Sequence, residues 1–498
     1  MRSFQLLAFA SVLAAGSIIA GAGALQPAHA QQAQDEAPSE FDAYDQALRS
    51  KDYDSALRIA SKLDLKDTKE GRGFRSALRG AALVGLKRDA EAQKEFAEAE
   101  RLAPNEPTIA WLKLEAGMRA DRIDLLNDAI DTMIARFPDQ AREINQKAMW
   151  YILRQEPKDQ VKRNEDRRIA LARIGFGGTR GDYLTQDAVG ILLKRGDPAN
   201  ASDLLQYIDE PTLIEDMLTQ KRFSTVWPTL ETMSGPHLAK VRTASAQAAE
   251  RDYQAEPSSE NLSILVNALR HAGRLDEAIA LRSKLPANDE AMASADEPMG
   301  WAINNVALAL HEAGRGDEAD ALFASLNGAK IEKPSWRVSM VINRLELLVG
   351  DGKFAKASEL LAATESTSGI DGSPYAKQLV RRLKYCIASG LGRKEEAAKA
   401  LPEMIDHAKD AYHASIDGLL CAGDVDQAEK LALTAMSDDT FQEQFVRAVQ
   451  PVALTSDDPS IWNNRWKELR QRPAIAKEFD RLGRDMPGNL VPPAAKAS

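Results

Sequence analysis

A six-residue turn recurs five times in the second half of the chain, at residues 273–278, 314–319, 352–357, 392–397 and 423–428. Each copy opens on Gly, continues with a charged residue and closes on Ala, and each lies between two apolar segments of helical period. Gly ends a helix where the left-handed conformation carries no side-chain penalty, and a small Ala lets the next helix approach the first. A chain punctuated in this way predicts stacked antiparallel helix hairpins, an all-α solenoid. The closing alanines are 41, 38, 40 and 31 residues apart, within the range of two-helix repeats. Related turns stand at 196–201 and, with Lys in place of Gly, at 51–56 and 87–92.

Around the second Lys turn the pattern becomes specific. Gly80, Leu83, Ala92, Phe96, Ala99 and Pro104 occupy small, large, small, aromatic, small and proline positions in that order. This stretch resembles a tetratricopeptide repeat, with Gly80 admitting close helix approach, Phe96 filling the space between hairpins and Pro104 ending the second helix. Leu310, Ala319 and Phe323 fit a second such unit, whereas residues 220–227 keep only an aromatic-centred turn. The resemblance covers roughly two thirds of the chain. It implies a tetratricopeptide-like superhelix whose inner wall, built from the first helix of each hairpin, holds a protein or an extended peptide. The layout is similar to that of exported bacterial repeat proteins of unassigned function.

The organisation expected from these signals is a signal peptide (1–30), a flexible linker (31–40), N-terminal repeats (41–145), divergent helical repeats (146–257), C-terminal repeats (258–440), capping helices (441–486) and a disordered tail (487–498). The leader rests on Arg2, an apolar run over 6–24 and the small-x-small site Ala28-His29-Ala30. Cleavage there leaves a periplasmic protein, and the competing reading keeps the run as a membrane anchor. The cap rests on Trp462, Trp466, Leu469, Ile475, Phe479 and Leu482, spaced to cover the last apolar face.

Charge and composition narrow the partners. The net charge is −10, and the leader carries one of the 64 basic residues and none of the 74 acidic ones, so the mature chain is more acidic still. Such a surface repels nucleic acid and anionic membranes. The two cysteines, Cys386 and Cys421, lie 11 and 7 residues ahead of their closing alanines, one helical turn out of register, which predicts separate buried thiols rather than a disulfide. The spacing of cysteines and histidines matches no metal site. The glycine-dense stretch 175–181 lacks the Walker lysine and follows a helical segment, so it reads as a break between hairpins. No nucleophile or metalloprotease motif stands out, and no catalytic residue and no cofactor is expected.

Two surfaces remain as candidate sites. Asn305 and Asn343 each precede their closing alanine by 14 residues, so stacking aligns them on one ridge of the inner wall, and Asn267 sits one turn further along its own helix. A row of amides offers donors and acceptors to the backbone of an extended peptide. Arg270 and Arg382 are the expected helpers for an acidic partner and Trp301 for an apolar one. In the first repeats Phe41, Phe74, Trp111 and Met118 turn toward the inner wall as an apolar groove. The expected function is a non-catalytic scaffold in cell-envelope assembly or maintenance, and the alternative is a lipid or small-molecule carrier using that groove.

Overall fold

The computed structural model describes residues 40–65, 67–155, 157–177, 182–327, 336–367, 372–450 and 460–491. The leader and nearly all of the linker lie outside the described residues. The chain divides between Tyr207 and Ile208 into two units, so the segment read from sequence as one divergent middle, 146–257, is shared between them.

The N-terminal unit holds α1 (Glu40–Arg49), α2 (Tyr53–Lys62), α3 (Lys69–Gly85), α4 (Asp89–Leu102), α5 (Pro107–Ala120), α6 (Ile123–Arg136), α7 (Pro138–Arg142), α8 (Gln146–Arg154), α9 (Val161–Arg173), α10 (Asp182–Lys194) and α11 (Pro198–Leu204). The C-terminal unit holds α12 (Pro211–Thr219), α13 (Trp227–Ser234), α14 (Ala239–Ala255), α15 (Ser259–His271), α16 (Leu275–Ala280), α17 (Asp289–Ala293), α18 (Glu297–Glu312), α19 (Gly316–Asn327) and α20 (Arg337–Gly350). It continues through α21 (Phe354–Thr367), α22 (Pro374–Gly390), α23 (Lys394–Asp406), α24 (Tyr412–Cys421), α25 (Val425–Ala435), α26 (Asp439–Ala448), α27 (Ser460–Arg470) and α28 (Pro473–Leu482). No strand occurs among the described residues. Successive helices pair, and first helices of adjacent hairpins touch: α3 with α5, α15 with α18, α20 with α22 and α22 with α24. Each unit is therefore an α-solenoid of stacked hairpins.

The recurring turn has one geometry throughout. Gly273, Gly314, Gly352, Gly392 and Gly423 have φ between 69° and 81°, and Gly196 has φ 75°. In each turn the left-handed residue donates its N–H three residues back and the next residue donates five back, as Gly273 to Arg270 O (2.9 Å) and Arg274 to Leu269 O (2.9 Å). These bonds satisfy carbonyls at the helix end and reverse the chain in two residues. Lys51 (φ 61°) and Lys87 (φ 59°) adopt the same conformation and the same bonds. The closing alanines Ala56, Ala278, Ala357 and Ala428 are fully buried where the returning helix meets its partner.

Between hairpins, fit replaces turn chemistry. A Cβ placed on Gly80 would meet the Phe96 ring at 3.1 Å, and Phe96, Leu83, Ala92 and Ala99 are buried. Phe323, Ala319 and Leu310 repeat the arrangement in the second unit. Tyr44 ties α1 to α3 by donating to Leu78 O at 2.7 Å.

The C-terminal unit closes on its own beginning. Of the residues expected to form a cap, Trp466, Leu469, Ile475 and Phe479 are buried in one core with α24–α26 and Leu482 is half-buried against it, while the Trp462 side chain lies outside the described residues. The chain then continues along α12 and α13. Arg484 N donates to Thr219 O (2.8 Å) and its guanidinium to Leu218 O (2.7 Å) and Glu231 (2.8 Å), while it covers the Trp227 ring at 3.6 Å. His237 N donates to Asn489 O at 2.8 Å. Met486 and Leu490 are buried, so the tail expected to be disordered from 487 is held against the unit through Asn489 and Leu490, and its remainder from 492 lies outside the described residues.

Two outcomes follow. Lys87→Gly and Lys51→Gly each relieve a left-handed side chain and raise stability by about 0.5–1 kcal/mol, measured by denaturant unfolding; an unchanged midpoint contradicts the strain. Arg484→Ala lowers stability by about 2 kcal/mol and speeds amide exchange in α12 and α13; unaltered exchange there contradicts the closure.

Candidate binding surface

The first helices α15, α18 and α20 lie side by side, which places the aligned amides in mutual reach. Asn305 Nδ2 donates to Ser263 O at 3.1 Å, Asn304 Nδ2 donates to Asn305 Oδ1 at 3.3 Å, and Asn343 Nδ2 donates to Asn304 Oδ1 at 2.8 Å. The expected row exists in register, but its amides bond to one another and form a ladder across three helices. The residue that completes it is Asn304, 3% exposed. Its signal in the sequence was the Asn304-Asn305 pair, whose first member falls on the buried face of α18. Asn267 accepts from Arg270 at 2.9 Å.

The basic helpers are corrected by burial. Arg270 is 4% exposed and donates to Glu312 at 2.8 Å. Arg382 is equally buried, paired with Glu346 on α20 and with Asp417 on α24 at 3.1 Å. Charges taken this far from water require such partners, so neither arginine is presented to an acidic ligand. Trp301 is half-buried against the same core, its Nε1 directed to Glu297 at 3.4 Å.

Further along, α27 lies over α24 and α25 and reaches α20. Trp466 Nε1 donates to Asp417 at 2.5 Å. The inner wall that was expected to stay open is thus covered here by the protein's own cap, because Glu346, Arg382 and Asp417 form a polar seam that a tryptophan N–H completes. Burial pushes the Asp417 carboxyl up in spite of Arg382 and Trp466. His413, stacked on Tyr375 (centroids 6.3 Å), is pushed down to about 3 by burial and by Arg382.

In the N-terminal unit the first-helix face is differently equipped. Phe41 on α1 is 45% exposed and meets Phe74 of α3 at 6.1 Å between ring centroids. Trp111 and Met118, both on α5, are half-buried in a separate apolar cluster, and Trp111 Nε1 donates to Gln140 at 3.3 Å. The structure therefore brings Phe41 and Phe74 together and places the other two in another cluster, each half-buried. Among the described residues no group of histidine, cysteine and carboxylate side chains is placed to hold a metal, and no helix is long and apolar enough to cross a membrane.

No family model matches the chain, and no curated protein matches it. Among solved structures it is similar to one described as "Circular tandem repeat protein with novel repeat topology and enhanced subunit contact surfaces", at 16% identity over 88% of each chain with a TM-score of 0.13. A likeness at that score carries no argument, and the architecture rests on the hairpins described above.

The polar seam makes stability depend on pH in a definite direction. The unfolded chain binds the His413 proton near pH 6.5, whereas the folded chain binds it only near 3. As pH falls through that window the unfolded state holds more protons, and stability drops by up to about 1.4 kcal/mol per pH unit. His413→Gln removes this slope and keeps that of Asp417. Urea titrations of both proteins from about pH 7 to 4.5 should converge; parallel curves contradict the assignment.

Proposed function

We propose that this chain is a helical-repeat scaffold without chemistry of its own, exported to the cell envelope, that holds a protein or extended peptide. The observation that carries the reading is the way the C-terminal unit grips a non-helical segment of its own chain. Residues 483–491 are held through main-chain bonds from Arg484 to Thr219 and from His237 to Asn489, with Leu490 buried. A helix-end carbonyl and a left-handed turn at His237 (φ 56°) supply the main-chain contacts, and the Arg484 side chain adds its own to Leu218 O, Glu231 and Trp227. The tetratricopeptide resemblance around Gly80 and Phe96 agrees with this use, as the leader does with export to the periplasm.

The partner surface we favour is the Phe41–Phe74 face of the N-terminal unit. Its counterpart in the second unit is occupied by the amide ladder and by α27, whereas Phe41 keeps close to half its surface in solvent. Exposed aromatic side chains supply large contact area at low conformational cost and anchor protein interfaces. The carrier alternative places a lipid on the same face.

The test replaces Phe41 with a photocrosslinking residue in the full chain and irradiates intact cells. One recovered partner, lost in Phe74→Ala and retained in Asn305→Ala with Asn343→Ala, supports the scaffold. Crosslinks to lipid only, with near-stoichiometric lipid in the purified protein, replace it by the carrier; no crosslink at Phe41 removes this face as the binding surface.

A further inference from the structure

The two cysteines stand on α22 and α24, neighbouring first helices, and belong to one apolar cluster. Counting from the closing alanines put them a turn apart, but those alanines do not measure the register of these helices. The interval between the last two is 31 residues, whereas Arg382 and Asp417, which meet at 3.1 Å, are 35 residues apart. Cys386 and Cys421 are also 35 apart, each four residues beyond its member of that ion pair. Residues four apart lie on one helix face, so the cysteines form the next rung between the same two helices. Both side chains accordingly pack into the same apolar cluster. Cys421 is the last residue of α24 and stands two residues before the left-handed Gly423, where the backbone is least constrained sterically.

We infer that Cys386 and Cys421 are a disulfide-forming pair, an oxidisable site that ties α22 to α24 beside the Arg382–Asp417 contact. The oxidant is a small-molecule or protein disulfide. Cys421 is half-buried and reacts first: its thiolate attacks one sulfur of the oxidant, forming a mixed disulfide and expelling a thiolate. Cys386, fully buried, then attacks the Cys421 sulfur, its proton passing to the second departing thiolate. In sum two protein thiols are oxidised to one disulfide and one oxidant disulfide is reduced to two thiols. Burial pushes the Cys386 thiol well up, which agrees with Cys421 as the entry point. The bond would hold together three first helices, since Arg382 also binds Glu346 on α20.

The inference is independent of the partner reading. The experiment equilibrates the full chain with oxidised and reduced glutathione, then measures intact mass, thiols titratable in denaturant and a non-reduced peptide map. The expected product is a monomer lacking two hydrogens, with Cys386 linked to Cys421, no titratable thiol, and a melting midpoint about 5 °C higher than the reduced form. Cys421→Ser abolishes the linkage. Two thiols still titratable in the oxidising buffer, a glutathione adduct that does not resolve, or a chain-to-chain dimer each overturns it. Protein from its host that is reduced, yet oxidises to the linked monomer in the buffer, supports the pair and counts against export.

Discussion

The left-handed residue at the end of each first helix is the constraint on which the structure depends. With φ near 70° the chain reverses within two residues while its own N–H groups satisfy the carbonyls left open by the helix. Everything downstream of that turn is then forced into antiparallel contact, and the closing alanine, buried at every turn but that of the half-buried Ala397, sets how near the returning helix comes. Where Lys51 and Lys87 replace glycine the same bonds form, so the turn is imposed by packing on both sides and not by glycine's freedom alone. The later glycines remove a steric cost that the first two hairpins carry.

Hairpins stacked in this way leave polar side chains of successive first helices facing one another, and the C-terminal unit uses them to bind its own parts. The amides of Asn304, Asn305 and Asn343 join α15, α18 and α20, and Glu346, Arg382 and Asp417 join α20, α22 and α24. Buried polar groups are costly unless every neighbour is placed to answer them, so these seams fix the register of the stack more sharply than apolar packing does. Trp466 and the segment reaching Val491 complete the closure. Phe41 in the N-terminal unit keeps close to half its surface exposed, which is why the proposed contact surface moves there.

Legibility followed the range of the interaction. The repeated turn, the buried faces around Phe96 and Phe323 and the capping role of Trp466, Leu469, Ile475 and Phe479 could be read because each depends on local spacing or on an adjacent hairpin. The alignment of Asn305 with Asn343 was legible for the same reason. That their amides would find Asn304 and Ser263 was not, since an asparagine on a helix face looks alike whether a neighbour or a ligand answers it. Arg270 and Arg382 misled in the same way: their charge suggested a ligand, whereas Glu312, Glu346 and Asp417 arrive from helices 35 to 42 residues away. Counting from the closing alanines failed for Cys386 and Cys421, because the final repeat is short and the register between α22 and α24 is set by an ion pair.

By itself the sequence determined the kind of structure: helices, their pairing, the hand of each turn and the apolar stripe each hairpin must bury, all consequences of covalent geometry and of periods shorter than one repeat. The tertiary structure alone decided the division between Tyr207 and Ile208, the closure of the second unit and the fate of the inner polar row. Those outcomes depend on which side chains meet after many hairpins have stacked, where a small change in register per repeat accumulates beyond what local spacing can specify.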